Sequence, residues 1–191
     1  MYTLFISTYN ELVIIGLLQN NKLISRKEKL SDKGHSTTLV PTIKEILDEN
    51  KLDTKDLSLI LVVNGPGSFT GVRLGVTVAK TLSYTLNIPI KTITSIEAIG
   101  VSINNDNKIV TIDDSKGKYI GKFENNNLIE LIYLYKENAL KYLKENNNYI
   151  VSDTNELDIE AIYKYSLNLK ETPAHRVKAI YVKEIDALNG K

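Results

Sequence analysis

Apolar residues fall first in short runs and then at helical spacing, and this alternation lays out most of the chain. Residues 3–7 are apolar, 12–18 form a longer run rich in Val and Ile, and 22–29 are more polar. Tyr9-Asn10-Glu11 and Gln19-Asn20-Asn21 separate these runs with turn-type residues at hairpin spacing, which predicts a β-meander. Over 36–49, Leu39, Ile43, Ile46 and Leu47 share a helical face, with Pro41 in the first turn or at a kink. The run LILVV at 59–63 is the pattern of a strand covered on both faces. A helix then extends to about residue 86, followed by a short strand at 89–93 and a short helix at 95–102 capped by Ser95. Residues 1–103 therefore read β-β-β-α-β-α-β-α.

The second half repeats the theme. Strands are predicted at 108–113, 118–123 and 128–135, broken by Gly117 and the run Asn125-Asn126-Asn127. Residues 136–145 are helical by composition, 149–152 form a short strand, and 156–165 a helix. Pro173 leads into an extended piece at 179–183. Three strands and then helices, twice over, predict an α/β protein of two related lobes, 1–103 and 104–191, the second abbreviated.

Composition narrows the function classes. The 191 residues carry Lys+Arg 24 against Asp+Glu 23, a formal charge of +1, and 42% are hydrophobic. That apolar content supports a folded chain, and near-neutral charge argues for an indirect nucleic-acid role at most. The absence of cysteine excludes disulfides, thiolate metal sites and Cys nucleophiles. No run approaches the ~18 apolar residues of a membrane span, and the N-terminus lacks a basic, cleavable leader, so a cytoplasmic, membrane-free protein is expected.

Residues 64–86, NGPGSFTGVRLGVTVAKTLSYTL, hold the most information. Gly65 and Gly67 punctuate a strand-to-helix junction with Ser68, Thr70 and Arg73 as potential donors, so the loop could hold an anion at a helix N-terminus. The plainer reading, favoured by spacing, is a tight turn with Ser68 or Thr70 as helix cap. It is not a Walker loop, because no Lys-Ser/Thr follows the glycines. Along the helix, Gly71, Gly75, Ala79 and Ser83 recur every four residues, with Val72 and Val76 beside them and Leu74, Val78 and Leu82 on another side. Each interior glycine costs about 1 kcal/mol relative to alanine, which implies a compensating close contact. That contact is either the chain's own sheet and 36–49 helix, or a second chain.

Candidate catalytic groups are sparse. His35 and His175 are the only histidines and form no His-x-x-x-His pair, so neither a zinc nor an iron site is expected. Asp113 and Asp114 end a strand, where they could hold a hydrated magnesium ion or simply make a solvated turn. Ser7 stands at the end of the first strand, where a serine cannot replace an aspartate as base or magnesium ligand.

The string NGPGSFTGVRLGVTVAKTL, with Lys33-Gly34-His35-Ser36, Leu39-Val40-Pro41 and Asn87-Ile88-Pro89, resembles the TsaB (YeaZ) family of tRNA threonylcarbamoyladenosine biosynthesis proteins. The match covers roughly the first hundred residues, with weaker agreement at Ile112-Asp113, Gly117 and 179–183. The resemblance implies a two-lobed, actin-like (ribonuclease H-like) ATPase fold with a reduced C-terminal lobe. It also implies a non-catalytic subunit without cofactor, pairing with the catalytic subunit TsaD and the ATPase TsaE, and meeting tRNA only through that complex. The partner interface would lie on the helices 36–49 and 71–86, through Leu39, Ile43, Ile46, Gly71, Val72, Gly75, Val76, Ala79 and Ser83. The same surface would support a homodimer. Two positions depart from the family pattern: Ser7 replaces an aspartate, and Ser115 an arginine. The competing expectation is a nucleotide-dependent enzyme of the same superfamily using the glycine loop, Arg73 and Asp113. A metallopeptidase is the weakest alternative, having His35 and no paired ligand.

Overall fold

A computed structural model describes residues 1–31, 34–154 and 156–183. Two mixed sheets form the frame. The first runs β3-β2-β1-β4-β5, built from β1 (Tyr2–Ser7), β2 (Leu12–Gln19), β3 (Lys22–Leu30), β4 (Leu57–Val63) and β5 (Ile90–Ile93). β1, β2 and β3 pair antiparallel, while β4 joins β1 and β5 joins β4 in parallel. The second runs β8-β7-β6-β9, from β6 (Lys108–Asp113), β7 (Gly117–Glu124), β8 (Asn127–Tyr135) and β9 (Ile150–Ser152). Its meander is again antiparallel and β9 adds in parallel to β6. The order β8-β7-β6-β9 repeats β3-β2-β1-β4, so the duplication suggested by the pattern of strands is a duplication of topology.

Burial follows the sequence pattern. In β4 every residue but Ser58 is buried, as a parallel strand covered on both faces requires. β3 alternates exposed and half-buried positions along its length, as an edge strand does. Helices α1 (His35–Glu49) and α2 (Phe69–Leu86) pack on the first sheet, and α3 (Ser95–Ser102) packs on β6 and β7 of the second. One apolar core runs through both sheets. A smaller cluster of Ile109, Ile120 and Ala139 lies under α4 (Lys136–Glu145).

The chain does not divide cleanly at residues 103/104. Helix α5 (Ile159–Ser166) packs on α3, β3 and β5, and Arg26 Nη1 donates to the Leu157 carbonyl at 2.7 Å. Further on, Thr172 N donates to Ile90 O at 3.0 Å and Ile180 N to Asn64 O at 2.8 Å. The segment beyond Leu157 therefore belongs spatially to the first sheet. The expected extended piece at 179–183 makes that backbone contact without becoming a strand. The helix expected over 156–165 starts later, where Asp158 accepts from Ala161 N at 2.9 Å.

The cap of α3 also differs from expectation. Thr94, not Ser95, is the N-cap: its Oγ1 accepts from Glu97 N at 3.0 Å, while Glu97 Oε2 accepts from Thr94 N at 3.0 Å. Ser95 is fully buried and its hydroxyl donates to the Pro66 carbonyl. Glu97 also accepts from Tyr165 Oη at 3.0 Å, so the cap helps hold α5 in place. Losing a capping side chain costs about 1 kcal/mol. Thr94→Ala is expected to lower Tm by about 2–4 °C, measurable by thermal denaturation, with Ser36→Ala, an exposed position, as the unperturbed reference.

Candidate functional site

The first strand of the sheet ends at Ser7, and the start of α2 lies directly on the next residue, Thr8. Thr8 Oγ1 donates to the Gly71 carbonyl at 2.8 Å. A methyl group at Gly71 would sit 2.2 Å from the Thr8 carbonyl oxygen, and one at Gly75 would sit 2.3 Å from Thr8 Oγ1. Further along α2, Ala79 is fully buried and Ser83 Oγ donates to the Ile88 carbonyl at 2.6 Å. The small-residue stripe is thus filled by the chain's own backbone and side chains.

This corrects the residues expected to meet a partner. Gly71, Val72, Gly75, Val76, Ala79 and Ser83 are buried within the chain, as are Leu39, Ile43 and Ile46 of α1. What α1 and α2 leave open is a neighbouring groove of about 480 Å³. Its floor is apolar, with Val40, Leu47, Leu52, Val78 and Leu82, and its rim carries Lys44, Asp48, Thr77 and Thr81. Of the nine expected residues, only Ile43 reaches it.

The glycine loop closes on itself. Ser68 N donates to the Tyr9 carbonyl at 2.6 Å, and Ser68 Oγ accepts from Gly71 N at 3.2 Å, the expected helix cap. Gly67 has φ +154, and a side chain there would strike the Tyr9 carbonyl at 2.2 Å. Gly65 is buried, and Thr70 is exposed on the first turn. Arg73 points away from the loop: its guanidinium lies 3.8 Å from the centre of the Phe69 ring, and its Nε donates to Tyr181 Oη at 2.6 Å.

Between the two sheets runs a cleft of about 760 Å³, reached by Tyr9, Glu11, Gly67, Ser68, His35, Asp113, Asp114 and Lys183, with Phe69 and Tyr181 also on its wall. Its two aspartates are paired, and Glu11 adds a third carboxylate to the lining. Asp114 accepts from Lys183 Nζ at 2.9 Å and from Tyr133 Oη at 2.8 Å, and Asp113 pairs with Lys118. Burial raises the Asp114 pKa, but the bonds from Lys183 and Tyr133 outweigh it and hold the carboxyl below its usual range. The Asp114 hydrogen bond in turn raises Lys183. His35 Nε2 lies 2.7 Å from the Asn10 carbonyl, the geometry of an N–H donor, so this nitrogen is not open as a metal ligand. Ser7 is fully buried and its hydroxyl has no partner among the described residues, so the strand end offers the cleft nothing. Lys33 lies outside the described residues.

The actin-like frame raises the question of a magnesium nucleotide in this cleft. The residues do not fit one: both aspartates are engaged by lysines, two loop N–H groups are spent internally, and Arg73 does not line the cleft. Arg73 and Asp113, which the nucleotide reading needs together, are not brought together. No sequence signal links Arg73 to Tyr181 or Asp114 to Lys183, because the partners are far apart along the chain and meet only through folding.

Comparison with known proteins places this arrangement. The family model for TsaD, tRNA N6-adenosine threonylcarbamoyltransferase, matches residues 9–124. The chain belongs to that family, on its TsaB/YeaZ branch. A TsaB protein of Bacillus subtilis is 32% identical over 156 residues, covering 80% of this chain and 64% of the relative. One from Buchnera aphidicola is 35% identical over 82 residues, or 43% and 37% of the two chains. The chain thus spans less than two thirds of the length of these curated relatives. YeaZ from Pseudomonas aeruginosa shares the fold at TM-score 0.75 and 15% identity, over 94% of this chain and 100% of that one. A second Pseudomonas aeruginosa structure, described as similar to peptidase YeaZ, gives TM-score 0.76 at 16% identity, over 95% and 99%.

Two outcomes follow for this branch of the family. Gly75→Leu should destabilise the isolated protein by about 2–3 kcal/mol or more through overpacking against Thr8; thermal or urea denaturation measures it, and unchanged stability would mean the stripe is open. Asp114→Asn removes a stabilising group whose folded pKa is depressed. That stabilisation is present above the unfolded carboxylate pKa and disappears as pH falls through the folded value. The variant should lose about 1 kcal/mol at pH 7, in line with a partly exposed ion pair, and match wild type near pH 2 in urea titrations at both pH values.

Proposed function

We propose that this chain is a non-catalytic scaffold and activator subunit of the tRNA threonylcarbamoyladenosine transferase complex, pairing with a TsaD-type catalytic subunit and an associated ATPase of the TsaE type. The TsaD-family match and the TsaB relatives supply the reaction class. The observation that carries the role is the groove between α1 and α2, an apolar, solvent-open surface on two rigid helices. The paired aspartates of the cleft support the same assignment, since a catalytic centre needs polar groups poised for substrate rather than tied to one another. A partner helix laid along the groove would bury Val40 and the Val78–Leu82 flank, with Lys44 and Asp48 at its rim. In the absence of that partner, two copies would bury the same surface against each other. The reading places the work in the cytoplasm, where tRNA is modified. Among the described residues no helix is long and apolar enough to cross a membrane.

Val40 is 55% exposed, so Val40→Glu leaves the fold intact and places a charge at the groove. It should weaken association with the TsaD-type subunit at least tenfold in a titration by light scattering or calorimetry, and lower modified-nucleoside yield in a reconstituted reaction. Leu140→Glu, equally exposed on α4 in the second lobe, should change neither. Wild-type affinity in Val40→Glu would refute the groove as the docking surface.

A further inference from the structure

The near-neutral total charge conceals a sharp local separation. Between residues 64 and 96 the chain has no Asp or Glu, and none again between 172 and 183. The fold lays these two segments side by side. Ile180 N donates to Asn64 O at 2.8 Å, Asn64 Nδ2 to Lys178 O at 3.2 Å, and Thr172 N to Ile90 O at 3.0 Å. The turn Ala174–Arg176 packs on α2 itself.

Of the cations in these segments, Lys91 is buried on the Ser166 carbonyl and Lys183 is held by Asp114, which leaves Arg73, Lys80, Arg176 and Lys178. Arg73 and Lys80, two turns and about 10 Å apart on α2, lie on the flank away from the α1 groove, which takes Thr77, Val78, Thr81 and Leu82. Arg176 and Lys178 are exposed on the neighbouring segment. None of these four cations has an ion-pair partner among the described residues, whereas Lys27, Lys29, Lys44, Lys118 and Lys183 all do. The acidic groups on this side are Glu171, exposed at the edge of the patch, and Glu11, Asp113 and Asp114 in the cleft that Phe69 and Tyr181 border, where both aspartates are held by lysines.

Aromatic faces accompany the charge. Phe69 is 50% exposed and Tyr181 42% exposed, with ring centres 5.4 Å apart. The Arg73 guanidinium lies against Phe69 and hydrogen-bonds Tyr181. Two half-exposed aromatic rings beside a guanidinium with no carboxylate partner make a surface complementary to a ligand with flat, π-rich groups and negative charge. An anionic membrane or an acidic protein would satisfy the charge but gives no use for ring and guanidinium faces. Unstacked bases on a phosphate backbone satisfy both.

We infer that the face formed by α2 and the 174–181 segment is an RNA-binding surface, in which Arg73, Lys80, Arg176 and Lys178 take phosphates and Phe69 and Tyr181 stack on bases of a single-stranded loop. It is separate from the α1–α2 groove, and rests on the proposed function only for the choice of RNA probe. RNA contact is then direct, not confined to a partner subunit.

Fluorescence anisotropy of the isolated protein with a labelled tRNA anticodon stem-loop tests this, across a series of salt concentrations. Wild type should bind saturably. Arg176→Glu/Lys178→Glu should bind at least tenfold more weakly, with the log–log salt slope shallower by about 1.4 for two lost phosphate contacts. Phe69→Ala and Tyr181→Ala should each bind about fivefold or more weakly with the slope unchanged, as loss of stacking without loss of charge requires. A fully paired RNA hairpin stem should bind more weakly than the loop. Val40→Glu should bind RNA like wild type, so that the groove and this face fail independently. Absence of saturable RNA binding by wild type, wild-type affinity in the charge-reversed variant, or binding to phosphatidylserine vesicles in place of RNA would each overturn the inference. So would loss of RNA binding in Val40→Glu.

Discussion

Everything distinctive about this molecule depends on how closely one helix approaches the end of one strand. Just past the end of β1, the Thr8 carbonyl and hydroxyl occupy the space that side chains at positions 71 and 75 would need. Two interior glycines weaken a helix by about 1 kcal/mol each, and the close packing offsets that loss. Because α2 is fixed at its first two turns, the loop before it is drawn onto Tyr9, which accepts from Ser68 N. The loop thus becomes part of the wall between the sheets instead of an open cradle. The remaining flanks of α2 face outward on either side, one toward α1 and one toward the 174–181 segment.

The same segment ties the two sheets. Ile180 hydrogen-bonds Asn64 at the end of the first, and three residues later Lys183 reaches Asp114 at the end of β6 in the second. Asp114 also takes Tyr133 from β8, so one carboxylate joins three stretches of chain. A single partly exposed pair contributes little to global stability. Its position across the cleft matters more, because it restrains relative motion of the sheets at the place where an actin-like protein would open around a ligand. Charges committed in this way make the cleft a brace.

The strand pattern was legible because parallel strands carry continuous apolar runs and edge strands do not; β4 and β3 are the two extremes. The cap of α3 was legible too, though the neighbouring Ser95 drew the assignment: Thr94-Ser95-Ile96-Glu97 is a capping box, and only Thr94 stands three residues before the glutamate. The orientation of the glycine stripe was not legible. Small residues state that something comes near, but whether it is Thr8 or a foreign helix depends on tertiary arrangement. The same limit hid the path of 157–183 back to the first sheet, which rests on backbone hydrogen bonds that leave no mark in composition. The Arg73 clamp was invisible for a related reason, since Phe69 and Tyr181 are brought together only by that return.

A near-neutral chain can therefore present two surfaces governed by different physics. At the groove, Lys44 pairs with Asp48 one turn away and only Asp53 adds a further charge, so binding there draws mainly on apolar burial. Such association changes little with ionic strength. On the far flank of α2 the cations stand without ion-pair partners among the described residues, and an anion held there would respond steeply to salt because counterions are released on binding. One helix of eighteen residues thus separates an interaction set by shape from one set by charge. Its buried third side, pinned at Thr8, is what keeps the two flanks in fixed relation.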